Sequence, residues 1–496
     1  MRFLLTGAFI IVALMTTAAW AETDESLVMA AQNNDVGAVQ ALLAAGKSAD
    51  AATADGTTAL HWAVQNRNLS MLELLINGGA HVGTINRFGA TPLILAASGG
   101  DIQVVERLIA AGADPNQVPT GKETPLMLAA RTGAAGIVAK LLSAGANVDA
   151  AEPVTGQTAL MWAAAEGQSN AIAALLRGGA SISSRSKMDH SALYFAVRNG
   201  DVQSVARLLE AGADANETLD PDPTPSGELD AKYPPGTTYA PLGDSMLVLA
   251  INNANFEVAE LLLKHGADAN AAGTNWTALH ALVRVRNYEE AQYPAPVGKG
   301  SVDSLNLAKE LLAHGADPNA RGDSLTPRRP GGDQNYVELL GATPFLLASK
   351  AADVPMMRTL LAAGARPDIL TYQRTTPLMV AAGLGCVPGQ WIEPEPAVLE
   401  TVKLLVEELG ANVNDVNEFN ETTMHGAVYR GALSVIRYLA EKGARTDIKD
   451  ADGLTPLVLA QEGAHKPIAI AGPRVILFRF PPTTAALLQQ LEKGSR

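Results

Sequence analysis

The sequence predicts an all-α solenoid of about twelve helix-turn-helix units, with loop insertions in its C-terminal half. Three observations carry this. A Thr-(Pro/Ala)-Leu landmark, with weaker versions at Ser191, Ser245 and Thr422, recurs from Thr58 to Thr455, and seven of its ten steps are 32–34 residues. A Gly-Ala landmark follows it by 21 residues in eight of ten units. Hydrophobic residues make up 47% of the chain but aromatics only 5%, which suits short, closely packed helices rather than one large core. With 496 residues, the chain exceeds what a single compact core accommodates.

The N-terminus comes first. Arg2 precedes an apolar run from Phe3 to Ala18, and Ala19-Trp20-Ala21 offers small residues at a cleavage site before Glu22. Residues 1–21 are therefore expected to be a cleavable signal peptide, because the run is short for a spanning helix. The expected location is periplasmic or secreted. The formal net charge of −14 repels phosphate backbones and argues against nucleic acid. Cys386 is the only cysteine, so no intramolecular disulfide can form.

Within a unit each residue type has a physical reason. Thr caps a helix start through its hydroxyl, and Pro suits the first helical position, where a missing N–H costs nothing. Leu93 packs, while Ala96 and Ala97 let neighbouring helices approach. Val104-Val105-Glu106-Arg107-Leu108-Ile109 carries apolar residues at helical spacing. Gly112 ends that helix, and Asp114-Pro115-Asn116 turns the chain into the next unit. A first unit over Leu27–Asp50 lacks the Thr landmark, and the last is divergent, as terminal units must cover an exposed core face.

A period of 33 with two short helices and a turn, best seen in Gly89-Ala90-Thr91-Pro92-Leu93 with Gly112-Ala113-Asp114-Pro115-Asn116, and in Thr58-Ala59-Leu60-His61, resembles the ankyrin-repeat family from about Glu25 onward. The resemblance implies that the turns between repeats project as fingers and, with the first helices, line a binding face for a protein. It also implies that His61, His280 and His425 tie backbone between repeats.

The period breaks in four places. The normal 12 residues from Gly to the next Thr become 33 between Gly212 and Ser245 and 28 between Gly315 and Thr343. Thr277 to Gly315 spans 38 residues and Thr376 to Gly410 spans 34. The expected organisation is regular repeats over 22–216, a finger insertion over 217–243, and repeats over 244–464 with insertions at about 287–303, 320–340 and 384–397. A divergent capping repeat follows over 465–496. Pro221-Asp222-Pro223-Thr224-Pro225 and Arg328-Arg329-Pro330-Gly331-Gly332 are loop compositions. A second-helix-like stretch, Asp333–Leu340, is read as a vestige or an insertion because nothing before it can form a first helix. By the resemblance, the two finger insertions fall on the binding side.

Candidate partner-binding residues are Tyr233, Tyr239 and Tyr336, with Arg328 and Arg329 as a local positive spot. Trp276 joins them at a variable position on the binding face. Gln65, Asn66, Glu166, Arg198, Asn199, Arg284, Tyr429 and Arg430 map the exposed ends of first helices. Trp62 and Trp162 are expected to pack.

No catalytic or metal set emerges. The histidines show no HxH or HExxH pairing. Asp114, Asp214, Asp268 and Asp317 recur at repeat spacing as turn residues, and Gly121-Lys122 lacks the rest of a phosphate loop. Val475–Phe480 is extended in character and reads as a cap over the last repeat, with an edge for partner docking as the alternative. The expected function is a non-catalytic scaffold or accessory factor of the cell envelope that binds another protein as a monomer. No cofactor, nucleic acid or membrane insertion after signal cleavage is expected. Capture of a peptide, glycan or small ligand between the insertions, or a secreted effector acting on another cell, are the alternatives.

Overall fold

The computed structural model describes residues 25–118, 123–219, 244–271, 276–287, 298, 300–322, 339–385, 393–463 and 480–494. The described residues are helical, with three isolated β-bridges and no extended strand. Two compact units divide the chain, Met1–Ala159 with Arg177–Ala180, and Leu160–Leu176 with Ser181–Arg496.

The first unit holds four helix pairs: Ser26–Gln32 with Val36–Ala44, Ala59–Gln65 with Leu69–Asn77, Pro92–Gly99 with Ile102–Ala110, and Pro125–Arg131 with Ala135–Ser143. These are repeats one to four. Repeats five to eight follow: Ala159–Ala165 with Ser169–Arg177, Ala192–Asn199 with Val202–Glu210, Met246–Asn252 with Phe256–Lys264, and Ala278–Arg286 with Ser304–Ala313. Repeats nine to twelve are Pro344–Lys350 with Val354–Ala362, Pro377–Ala382 with Glu395–Lys403, Thr423–Arg430 with Leu433–Glu441, and Pro456–Glu462 with Pro482–Gly494. The last pair straddles residue 464, so one unit spans both sides of the boundary drawn there from sequence.

The caps work as the residue types require. Thr91 Oγ1 accepts from Ile94 N (3.1 Å), and the weaker landmarks Ser191 and Ser245 accept from Tyr194 N (3.0 Å) and Val248 N (3.3 Å). Six second helices start on a bonded Asp or Asn cap, as Asp201 accepts from Ser204 N (2.7 Å). Gly112 closes its helix at φ 93°, a left-handed conformation that a Cβ would disfavour. Asp114, Asp214, Asp268 and Asp317 each accept from the amide two residues on, at 2.8–2.9 Å. They are turn residues.

The three landmark histidines bridge repeats. The Ala342 carbonyl can only accept, so His280 Nε2 carries the proton that it donates there (3.0 Å), and Nδ1 accepts from Thr277 Oγ1 (2.8 Å). His61 reaches Ala90 O (3.1 Å) and His425 reaches Leu454 O (3.2 Å) in the same way. Burial pushes His280 down to about 4 and lowers His61; burial, then the nearby Arg198 charge, pushes His190 down to about 4. The unfolded chain therefore binds more protons below its ordinary histidine pKa of about 6.5. Stability is full above that value and falls as pH drops toward 4. His280→Gln should flatten this decline in thermal melts taken across the same window, and an unchanged slope would remove His280 as its source.

An asparagine clasp was missed in the sequence. The Asn four residues after the landmark Gly donates through Nδ2 to the next landmark Gly carbonyl and accepts at Oδ1 from the amide two residues beyond it. Asn116 does this with Gly145 (2.9 Å) and Asn147 (2.7 Å), and Asn216 with Gly266 (3.0 Å) and Asp268 (2.7 Å). Asn270, Asn319 and Asn414 repeat it. The clasp of Asn216 spans the longest insertion without losing register. Asn270→Ala removes two exposed hydrogen bonds and should cost about 1 kcal/mol in denaturant unfolding.

The insertions are closed at their necks. Leu219 N donates to Asp244 O (3.1 Å) and Met246 N to Glu217 O (3.2 Å) across residues 220–243. Gly322 N donates to Ala342 O (2.9 Å) and Gly341 N to Gly322 O (2.7 Å) across residues 323–338. At the other end of the repeats, Ser301 N and Oγ donate to Glu257 Oε1 (2.7 and 2.9 Å), and Arg430 pairs with Glu393 (3.0 Å). The first two loops thus leave and rejoin the array at one point, which is why the period resumes after them.

A π-helical turn at Leu404–Glu408 extends the second helix of repeat ten. Buried Thr401, Val402 and Leu405 sit nine, eight and five residues before Gly410; in repeat seven Val258, Ala259 and Leu262 sit eight, seven and four before Gly266. The wide turn absorbs that one extra residue. It also places Glu408 on Arg358 (2.8 Å) in repeat nine, and Glu407 on Lys442 (3.0 Å) in repeat eleven.

Candidate protein-interaction surface

The fingers are built by one buried acceptor each. Asn86 Oδ1 accepts from Phe88 N (3.1 Å) and Ala90 N (2.9 Å). Asn417 Oδ1 does so from Phe419 N (3.0 Å) and Glu421 N (2.9 Å), and Asp450 Oδ1 from Asp452 N (3.0 Å) and Leu454 N (2.9 Å). Thr371 supplies its hydroxyl to Thr375 N (3.0 Å). The acceptor satisfies the turn from inside, so the residues between are pushed outward.

Neighbouring tips are joined through the backbone. In the first unit Arg87 N donates to Asp55 O (2.8 Å). In the second, Tyr372 N donates to Leu340 O (2.9 Å), Glu418 N to Gln373 O (3.0 Å) and Ala451 N to Phe419 O (2.8 Å). These three bonds make one row of four tips over repeats nine to twelve.

The tips carry apolar surface that the fold does not bury. Among the described residues, six of eight exposed large apolar side chains lie on turns between repeats: Ile85, Phe88, Val154, Tyr372, Val416 and Phe419. Phe88 is 61% exposed, Tyr372 52% and Phe419 41%. A fold that needed these rings for stability would have buried them.

The residues anticipated from sequence fall elsewhere. Tyr233, Tyr239, Arg328, Arg329 and Tyr336 lie outside the described residues, as do Cys386, most of the Asp333–Leu340 stretch and Val475–Arg479. Trp276 is 8% exposed, with its ring edge-on to His280 at 5.3 Å. It packs beside the inter-repeat histidine, so the open placement expected of it does not hold. Gln65, Glu166 and Arg198 are exposed. Asn66 and Asn199 instead donate to the carbonyls of Ala31 and Ala165 (both 2.9 Å), tying each repeat to the one before.

Tyr429 and Arg430 are not exposed ends at all. Both are buried, with Tyr429 edge-on to Phe480 at 6.1 Å and Arg430 on Glu393. Burial pushes the Tyr429 phenol up. The reason is Gly426, which occupies the place that Trp62, Leu95 and Trp162 hold in other repeats. A Cβ there would fall 2.8 Å from Leu384 N and 2.9 Å from Met379 O, so the first helices of repeats ten and eleven come together and close over these side chains. Trp62 and Trp162 are half-buried, consistent with packing. The exposed finger aromatics were not singled out in the sequence, although each lies within a few residues of an Asn or Thr turn acceptor.

Comparison with known proteins agrees with this architecture. A family pattern described as "Ankyrin repeats (3 copies)" matches residues 27–119, 70–152, 126–218 and 396–470. Single ankyrin-repeat patterns match 242–271 and 373–418. The chain is 31% identical over 143 residues to a putative palmitoyltransferase ZDHHC13 of Danio rerio, covering 29% of this chain and 20% of that protein. It is 32% identical over 127 residues to ankyrin repeat domain-containing protein 63 of Homo sapiens, covering 25% and 31%. It is 27% identical over 139 residues to the probable 26S proteasome regulatory subunit p28 of Saccharomyces cerevisiae, covering 27% and 55%. The match thus spans between a fifth and about half of these relatives. The human ASB11 ankyrin repeat domain aligns with TM-score 0.40 at 24% identity, covering 49% of this chain and 97% of that one. No helix of the described residues is long and apolar enough to cross a membrane.

Proposed function

The chain belongs to the ankyrin-repeat family, and on that premise we propose that it is a non-catalytic scaffold of the cell envelope that holds a protein partner on its finger tips. The observation that carries this reading is the hydrogen-bonded row of tips over repeats nine to twelve, with the rings of Tyr372 and Phe419 exposed on adjacent fingers. Aromatic residues on a rigid support are efficient interface anchors, because little side-chain entropy is lost when they bind. Export through residues 1–21 puts such a partner in the periplasm or outside the cell.

The test is affinity capture from an envelope extract. The baits are residues 22–496, the same chain carrying Tyr372→Ser with Phe419→Ser, and a third in which 220–243 and 323–338 are each replaced by a short turn. A protein held by the first bait and lost from the second supports the scaffold and its contact site. Loss from the third bait as well brings the insertions into the interface. Retention by none turns the search to small ligands and counts against the scaffold.

A further inference from the structure

The geometry points to an acidic, extended segment of the partner protein, bound with its carboxylates at Arg321 and Arg374 and an apolar side chain one finger away at Phe419. This rests on the scaffold reading above and names the chemistry of its contact.

The observations converge on one fingertip. Arg321 lies over the exposed Tyr372 ring, 5.1 Å from its centroid. The ring also rests on Gly341, where a Cβ would fall 3.1 Å from it. Arg374 follows two residues later and is also exposed. Among the described residues, neither Arg321 nor Arg374 has a carboxylate partner, whereas the exposed Arg366 and Arg445 are paired with Asp368 and Asp447. A guanidinium on an exposed aromatic ring, with a second exposed arginine two residues along the same turn, stands out on a chain of net charge −14. Their positive charge suits carboxylates, which a guanidinium can bind through paired N–H donors.

The backbone gives a second reason. Arg374 has φ 62°, at the turn position that is glycine in other fingers (Gly56, Gly89, Gly156 and Gly453) and Asn420 or Asp189 in two more. A long side chain there is strained. Arg67 shares the left-handed conformation, at φ 53°, but its guanidinium donates to Gly99 O (2.8 Å), an evident structural return. Arg374 has no such return among the described residues, so the strain is kept for something outside the fold.

The next finger sets direction. Glu418 N is bonded to Gln373 O, and the Phe419 tip carries exposed Glu418 and Asp415 beside Val416 and Phe419. Carboxylates of a bound segment are repelled there and apolar side chains are accepted. The fitting sequence is therefore acidic at one end and apolar at the other.

The experiment uses the full chain and fluorescein-labelled synthetic peptides: one of alternating Glu and Ser ending in Phe-Leu, one with Lys for every Glu, and a single-stranded DNA oligonucleotide as a different polyanion. The Glu peptide should bind by fluorescence anisotropy and weaken with added salt, while the Lys peptide should not bind. Arg374→Gly and Arg321→Gln should each weaken it about tenfold, and Arg87→Gln, on a finger of the first unit, should leave it unchanged. Arg374→Gly should at the same time raise the thermal midpoint by about 2–4 °C, since it relieves the strained turn. Equal binding by wild type and Arg374→Gly would overturn the inference, as would DNA binding with the same arginine dependence. A captured protein that needs Tyr372 and Phe419, with no binding of the Glu peptide, would leave the scaffold standing and remove the acidic partner.

Discussion

Ala163→Pro should unfold repeat five. Ala163 is fully buried in the helix Ala159–Ala165, and its carbonyl accepts from Gln168 N (2.8 Å) to close the turn between the two helices of that repeat. Proline there removes the hydrogen bond from residue 163 to the preceding turn, and its ring collides with a carbonyl one turn back. In an isolated seven-residue helix no length remains on either side to absorb a kink. The expected cost is about 3 kcal/mol or more, read as a lower denaturant midpoint and a broader or split transition, since repeat arrays lose cooperativity when an internal unit fails. Unchanged unfolding would mean that residue 163 is not inside a first helix.

Gly426→Leu should be comparably damaging, although it brings repeat eleven into line with Leu95 of repeat three. The atoms that a new Cβ would strike at 2.8 and 2.9 Å belong to the backbone of repeat ten and cannot rotate away. The two first helices must separate, uncovering Tyr429 and Arg430. Overpacking of this kind costs about 1–3 kcal/mol, occasionally more, and the bulk of leucine puts it at the upper end. Gly426→Ala should fall between, because alanine recovers about 1 kcal/mol of helix propensity. Stability rising in the order Gly, Ala, Leu would refute the close crossing.

The two substitutions differ in what foretells them. Ala163 lies in phase with a landmark repeated along the whole chain, so its helix could be placed by counting. Gly426 looks like a weak repeat until the distance to Leu384 is known. The same contrast holds for the surface. Counting from the Gly landmark leads to the expectation of four insertions, and hydrogen bonds join the chain across 220–243 and 323–338, at two of the breaks in period. The direction of each side chain depended on what its neighbours filled. Trp276 was expected in the open and is packed on His280; Tyr429 and Arg430 were expected at an exposed helix end and are enclosed by Phe480 and Glu393.

By itself the sequence determined the helix pairs, their caps, the turn aspartates and the ankyrin class, because each depends on residues a fixed number of positions apart; the bridging role of the histidines was implied by the resemblance. Tertiary structure alone decided that Asn216 clasps across an insertion, that a π-turn absorbs an extra residue before Gly410, and that Tyr372, Arg374 and Phe419 share one row of tips. Those relations join residues whose separation varies from repeat to repeat, and they follow from how closely backbones pack, which no spacing along the chain records.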